Sequence, residues 1–454
     1  MSSVNKQMHK WLLFVIGLAI TIVLTFATRL TINAAATTPC VSGSAGIYPC
    51  ENVDLLAHLP LTAIGAEDAS VTGSDHWFWR DSVSGRDFVL FGLSNGTSFI
   101  DISNPQSPQY LGKLPTHSGT SRFRDIKVYN DHAFIIGDQI ADHGMQIFDL
   151  TQLRPVTTTT TFTETAHYDG FGAAHNFWIN EGSGFAYLLR AGDCIGTQML
   201  DLSTPTAPTD AGCFADDGAA SDTECVLYTG PDTTYSNREI CFTGSDDSWT
   251  IADVTDKSAP VQITSETYSG IRRAHQTILS ADQRYMLLSD TMDEAMDGVN
   301  TTLYIWDVAD LDNPTYLGLF RYDTNATDHN IYVKDGYSYQ VNWKAGLRVL
   351  DISRLPDITF DEVAYFDVEP TSDAPGMGGS WGVIPWWENG VVTVSSLEGG
   401  LFVLQVTTPL SAVQVGAISA ETTLSTPSLL TFTLALLLLT FYITHQKHPT
   451  PQGA

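Results

Sequence analysis

Between about residue 76 and residue 408 the chain is a succession of short apolar runs separated by polar turns, and the runs recur in a fixed order. Residues 328–353, DHNIYVKDGYSYQVNWKAGLRVLDIS, show the unit most clearly. A polar opening (Asp328, His329, Asn330) leads into a strand over 331–333. A turn at Lys334-Asp335-Gly336 returns the chain through 337–341. A connection carrying Gly346 then feeds the most apolar strand, 347–350, which closes on Asp351-Ile352-Ser353. The same third strand recurs at 97–102, 145–150, 198–202, 249–254, 303–308, 347–352 and 401–404. Proline-bearing turns such as Asn104-Pro105 and Asn313-Pro314 lead from it into a fourth strand. Four short antiparallel strands per unit, at a period of about 40 to 50 residues, describe the blade of a β-propeller. The β-branched, aromatic and turn-rich composition excludes helical repeats. The predicted fold is therefore all-β, a seven-bladed β-propeller.

The seventh unit lacks an outer strand of its own, and residues 53–61 resemble the outer strands of the other blades. This stretch is expected to complete blade seven and latch the ring, because an open ring leaves unpaired strand edges.

Composition places the chain rather than its fold. With 22 Lys+Arg against 51 Asp+Glu, the net charge of -29 argues against nucleic acid as a partner, since phosphate binding needs a basic footprint. Residues 1–36 read as an export signal: Lys6 and Lys10 precede an apolar run over 11–27, and Ala34-Ala35-Ala36 offers a cleavage site. At the other end, 424–444 is a charge-free apolar run long enough to span a bilayer, with His445, Lys447 and His448 after it. The expected organisation is a signal segment (1–36), an N-terminal segment carrying the ring-closing strand (37–75), the propeller (76–408), a linker (409–423), a transmembrane helix (424–444) and a cytoplasmic tail (445–454). It implies a monomeric propeller held outside the cell by its C-terminus, facing an extracellular ligand or protein. Six cysteines suit an oxidising compartment. The expected pairs are Cys40 with Cys50, Cys194 with Cys213, and Cys225 with Cys241, and no CxxC spacing suggests zinc.

Several longer stretches resemble the LVIVD-repeat proteins, and the whole mature body is similar to the choice-of-anchor B family of exported propellers. They are HGMQIFDL at 143–150, AHNFWINEGSGFAY at 174–187, GPDTTYSNREIC at 230–241, DVTDKSAP at 253–260, AHQ at 274–276 and the unit at 328–353. The resemblance implies a propeller, export and a C-terminal anchor, and it brings no activity with it. Where that family has a His-Asp pair, this chain has Ser221-Asp222.

In a propeller the entrances of the innermost strands crowd one mouth of the central channel. Here they are Asp75-His76, Arg124-Asp125, His175-Asn176, Ser221-Asp222, His275-Gln276, Asp328-His329-Asn330 and Ser380-Trp381, joined from neighbouring connections by Asp142-His143, Asp193 and Asp290-Asp293-Glu294. Histidines and carboxylates in one place are ligands for a divalent metal ion. His175, His275, His329, Asp125 and Asp222, with His143 and Asp290, are the expected set, and the ion's identity is open. The competing reading is that these groups cap backbone and tie blades together. The Asp closing six of the third strands (101, 149, 201, 253, 307, 351) precedes a turn and is expected to fix it. Trp306, Trp343, Trp381, Trp386 and Trp387 are candidates either for sugar stacking or for core between blades. No catalytic motif with its strand–helix context occurs, so a binding module leads over a metal-dependent hydrolase or lyase.

Overall fold

The computed structural model describes residues 37–408, which form seven four-stranded antiparallel blades around a central axis. The inner strands are Gly73–Asp81, Arg124–Tyr129, Asn176–Asn180, Ala220–Leu227, Ala274–Leu279, Ile331–Lys334 and Ser380–Ile384. The expected export segment, linker and membrane span lie outside the described residues. Among the described residues no helix is long and apolar enough to cross a membrane.

Six of the seven blades are held by a feature that their repeats share. The Asp at the end of the third strand accepts the backbone N–H two residues on: Ser103 on Asp101 (2.8 Å), Ser203 on Asp201 (2.7 Å), Thr255 on Asp253 (3.0 Å) and Ser353 on Asp351 (2.9 Å). Asp149 and Asp307 do the same for Thr151 and Ala309. These Asx turns reverse the chain toward the outer strand, as the turn reading expects. In blades one, three, four, five and six the outer strand then carries a bulge at the same place, opposite Phe99/Ile100, Met199/Leu200, Ile251/Ala252, Ile305/Trp306 and Val349/Leu350. Gly112 sits at one such bulge with φ +143°, where a Cβ would collide with the carbonyl of Thr160. That carbonyl belongs to a strap from blade two, Thr160–Thr161, which pairs parallel with Gly112 and Lys113 on the rim of blade one.

The ring is closed by Val53–Leu59, which pairs antiparallel with Gly400–Val406 as the outer strand of blade seven. The segment before it also extends blade six, where Tyr48–Glu51 pairs with Asp361–Phe366. All three disulfides form as paired in the sequence reading: Cys40–Cys50, Cys194–Cys213 and Cys225–Cys241. They fit an oxidising environment outside the cytosol. The first clips the ring-closing segment; the other two lie within blades three and four. Deleting residues 37–60 is expected to leave Gly400–Val406 as an open edge and to expose buried Val403 and Leu404. Size-exclusion chromatography should then show self-association, and thermal unfolding should lose its single transition; a monomer that melts unchanged would refute the latch.

Candidate functional site

The corresponding positions of the seven inner strands are Asp75, Asp125, Asn176, Asp222, Gln276, Asn330 and Gly382. Six carry a carboxylate or carboxamide, and the seventh has no side chain. At Gly382 a Cβ would strike the Asp75 carboxylate, so the acid of blade one fills the place that blade seven leaves free. Lys127 lies two residues beyond Asp125, contacts its carboxylate at 2.5 Å and rests 4.5 Å from the centre of the Trp77 ring. Beyond that ion pair the channel is filled by aromatic rings: Trp77 against Trp178 (6.4 Å), Tyr332 (6.0 Å) and Trp386 (5.6 Å).

On the entrance side of this polar layer is a cavity of about 310 Å³. It is bounded by Asp75, Asp125 and Asn176, by His175, His275 and His329, by Arg124 and Arg273, and by an aromatic wall of Phe123, Trp343 and Trp381. Trp343 and Trp381 meet edge to face at 5.2 Å, and His329 packs against both. Two atoms on this wall are buried without a hydrogen-bond partner, Nδ1 of His275 and Oδ1 of Asn330. A buried acceptor without a donor costs about 1–3 kcal/mol, so these two mark places where a bound molecule has something to supply.

His175, His275, His329 and Asp125 all border the cavity, and among the described residues no three of the rim's candidate ligand atoms lie within 4.8 Å of one another. Among the described residues, groups of three or more such atoms within 4.8 Å of one another occur at His117, Glu164 and His167 and at Asp232, Asp310 and Asp312. Several of the rim residues have protein partners. His175 Nδ1 is 2.8 Å from Asp138, and His329 Nδ1 is 2.7 Å from the carbonyl of Trp381. Asp222 accepts the N–H of Thr223 (2.7 Å), and His143 Nε2 meets the Arg124 guanidinium at 2.9 Å. Asp290 accepts from the Tyr268 hydroxyl and from the N–H groups of Arg272 and Arg273.

Many of these bonds cross from blade to blade. Arg124 N–H donates to Ser74 (2.9 Å), Phe177 N–H to Asp125 (3.0 Å), Leu279 N–H to Glu224 (2.7 Å) and Ile331 N–H to Gln276 (2.5 Å). Trp178 donates to the Cys225 carbonyl (3.0 Å), and His76 meets Thr393 (2.9 Å), which ties blade one to blade seven. With His329 on Trp381, every seam of the ring carries such a tie.

Enclosure sets the charge of the site. Burial, opposed by Lys127 and reinforced by Asp125, pushes the Asp222 carboxyl up to about 7. Asp75 is raised as well, by burial and then by the charge of Asp125. Burial holds His329 down at about 4, and His275 lies well below its usual value through burial and then the proximity of His329. At neutral pH both rings are uncharged, so they can accept as well as donate. A second group of acids, Asp290, Asp293, Glu294 and Asp328, is fully buried behind the short helix Asp293–Asp297. Burial and the charge of Asp293 raise Glu294, while Tyr304 donates to Asp293 at 2.9 Å. Of the tryptophans, Trp306 packs on Trp249 (4.9 Å) in the core, Trp387 donates to Thr393 (3.0 Å), and Trp343 and Trp381 face the cavity.

The LVIVD repeat model matches residues 82–116 and 327–360, in blades one and six. No curated protein matches the chain. Among solved structures, it is similar to the β-propeller domain of Cps50 (Swd1) from Myceliophteria thermophila, with 11% identity, a TM-score of 0.47 and coverage of 74% of this chain and 98% of that one. It is also similar to the computationally designed Ika8 protein (10% identity, TM-score 0.45, 74% and 83% covered). A protein from Lactobacillus plantarum has 14% identity and a TM-score of 0.46, with 72% and 87% covered.

The raised carboxyl of Asp222 gives a signed expectation. An acid whose folded pKa lies above its unfolded value of about 4 favours folding below that value, and the contribution is lost as pH rises toward about 7. Asp222→Asn removes this loss. Its stability relative to the parent should therefore rise between pH 4 and 7, by at most about 1.4 kcal/mol per pH unit, and level off above. Urea unfolding at several pH values reads this difference; a pH-independent difference would show that Asp222 is ionised throughout.

Proposed function

We propose that this chain is a recognition module of the choice-of-anchor B kind, exported and held at the cell surface, whose channel-mouth cavity takes one small polyhydroxylated ligand of sugar size. The unpartnered buried pair, His275 Nδ1 and Asn330 Oδ1, on the wall of a 310 Å³ cavity carries the reading. That volume is at the small end of ligand pockets. Trp343 and Trp381 offer an apolar wall, against which the C–H face of a sugar ring can pack. Asp75 and Asn330 can accept from hydroxyl groups, and Arg273 can donate.

Binding is the function supported here because the cavity joins a packed aromatic wall to buried polar atoms without partners, with His275 and His329 uncharged. The ligand test is a panel of neutral hexoses, uronic acids and amino sugars, screened by thermal shift and followed by calorimetry. One class should bind at a single site, and Trp381→Ala and Asn330→Ala should each weaken it about 10-fold or more. Saturable binding unchanged in both variants, or no binding across the panel, would overturn the assignment.

The anchoring part rests on the apolar run 424–444 and its basic flank, together with disulfides that suit an extracellular body. Removing residues 424–454 should release the protein from the membrane fraction into the medium. Retention of the truncated chain with membranes would reject the C-terminal anchor.

A further inference from the structure

Away from the channel, on the rim of blades one and two, the structure places two histidines on one carboxylate. His117 lies in the connection between those blades, and Glu164 and His167 lie at the short outer strand of blade two, Ala166–Tyr168. His117 Nδ1 is 2.9 Å from Glu164 Oε1, and His167 Nδ1 is 3.7 Å from Glu164 Oε2. The imidazole rings stack at 3.7 Å between centroids, 16° from parallel. One ligand atom from each residue falls within a 4.8 Å set.

We infer that His117, Glu164 and His167 form a binding site for a divalent transition-metal ion of the zinc class. Two imidazoles and one carboxylate are the donor set that such ions favour, and ions such as Mg²⁺ and Ca²⁺ prefer all-oxygen sites. In a tetrahedral zinc site the donors stand about 3.3 Å apart, so binding draws this set in by an ångström or so and turns one imidazole out of the stack, because lone pairs in two parallel ring planes do not meet at one point. His117 is the more exposed of the two rings, with 36% of its side chain accessible, and is free to turn its lone pair toward the ion. The same exposure leaves a coordination position open to water or to a ligand.

Independent features support the assignment. His167 Nδ1 is buried without a hydrogen-bond partner, since its separation from Glu164 is too long for one. Gln146 stands opposite His167 in the ladder, and its Nε2 donates to Glu164 Oε2 at 2.9 Å and to the Pro115 carbonyl at 3.0 Å. This is the kind of outer contact that orients a ligating carboxylate. The other arm of that amide, Oε1, is buried without a partner, in a residue only 2% exposed. Gly144 leaves room for the ring, since a Cβ there would lie 2.8 Å from His167 Nε2. Without an ion, two stacked imidazoles share a single carboxylate and one ring nitrogen is unsatisfied; an ion satisfies both rings and fastens the blade-two strap to blade one.

The test uses the full-length chain, stripped with a chelator and titrated with Zn²⁺ by calorimetry, with Co²⁺ as a visible probe of coordination. One equivalent should bind, with cobalt bands typical of mixed nitrogen and oxygen ligation. His117→Ala and His167→Ala should each weaken binding about 100-fold and Gln146→Ala about 10-fold, in line with loss of a ligand and of an outer-shell contact. Melting temperatures taken without metal confirm that the variants fold. His117→Gln, which keeps a polar side chain, should fail in the same way as His117→Ala. Binding unchanged in the double variant His117→Ala/His167→Ala would assign the ion to another place. Binding lost in His275→Ala and kept in His117→Ala would place it at the channel mouth, and absence of saturable uptake would remove the site; each overturns the inference.

Discussion

The structure depends on one constraint: a ring of blades has to supply every blade edge with a neighbour, and the strand that completes the last blade comes from the other end of the fold. Pairing of Val53–Leu59 with Gly400–Val406 meets that constraint with a backbone ladder, to which His58 adds a bond to the Gly399 carbonyl (2.7 Å) and a stack on Phe402 (4.3 Å). Thr407 N–H also donates to the Asn52 carbonyl at 2.9 Å, so the first and last parts of the propeller are bound side by side. Once the ring is closed, the seams can be fixed by single polar contacts between inner strands. Those contacts hold where the buried groups find partners: the carboxylate of Asp125 holds Lys127 and the N–H groups of Ile126 and Phe177.

The same contacts account for the character of the channel mouth. Side chains at the strand entrances are used mainly to join blades, which leaves few atoms facing the cavity unsatisfied. The site is thereby preorganised: its aromatic wall is packed, His275 and His329 are neutral, and the carboxylates of Asp125 and Asp222 are held by fixed donors. A rigid rim of this kind suits recognition of a small molecule with little loss of conformational entropy on binding. Asymmetry enters at Gly382, where one missing side chain lets Asp75 of the neighbouring blade occupy its place.

The fold was legible because its determinants are local and repeated. The Asx-turn aspartates, the apolar third strands and the glycine-marked outer strands each announce a blade, and close-spaced cysteines announced their partners. The rim positions were legible for the same reason, since strand entrances map onto one face. What each rim residue bonds to was not. Asp138 for His175 and the Trp381 carbonyl for His329 come from adjoining blades, and which of two neighbours supplies a partner is a matter of blade twist and loop path that no local pattern records. The His117–Glu164–His167 group was missed because it is brought together by the strap at Thr160–Thr161, whose parallel pairing with blade one leaves no signal in the repeat. A histidine flanking an outer strand in two successive units was the one available hint.

Closure by an N-terminal strand also sets a timetable. The strand that ends the ring is made nearly 350 residues before the strand it pairs with. At ordinary synthesis rates of about 5–20 residues per second, roughly 20 to 70 s separate the two. During that interval blades one to six can form in order, each using the one before it as a template, while residues 53–59 wait unpaired. The Cys40–Cys50 disulfide encloses a loop just before that strand and can form at once, because both of its thiols emerge early. The closing pair is thus a contact of very large sequence separation, which becomes available only once the last blade has been made.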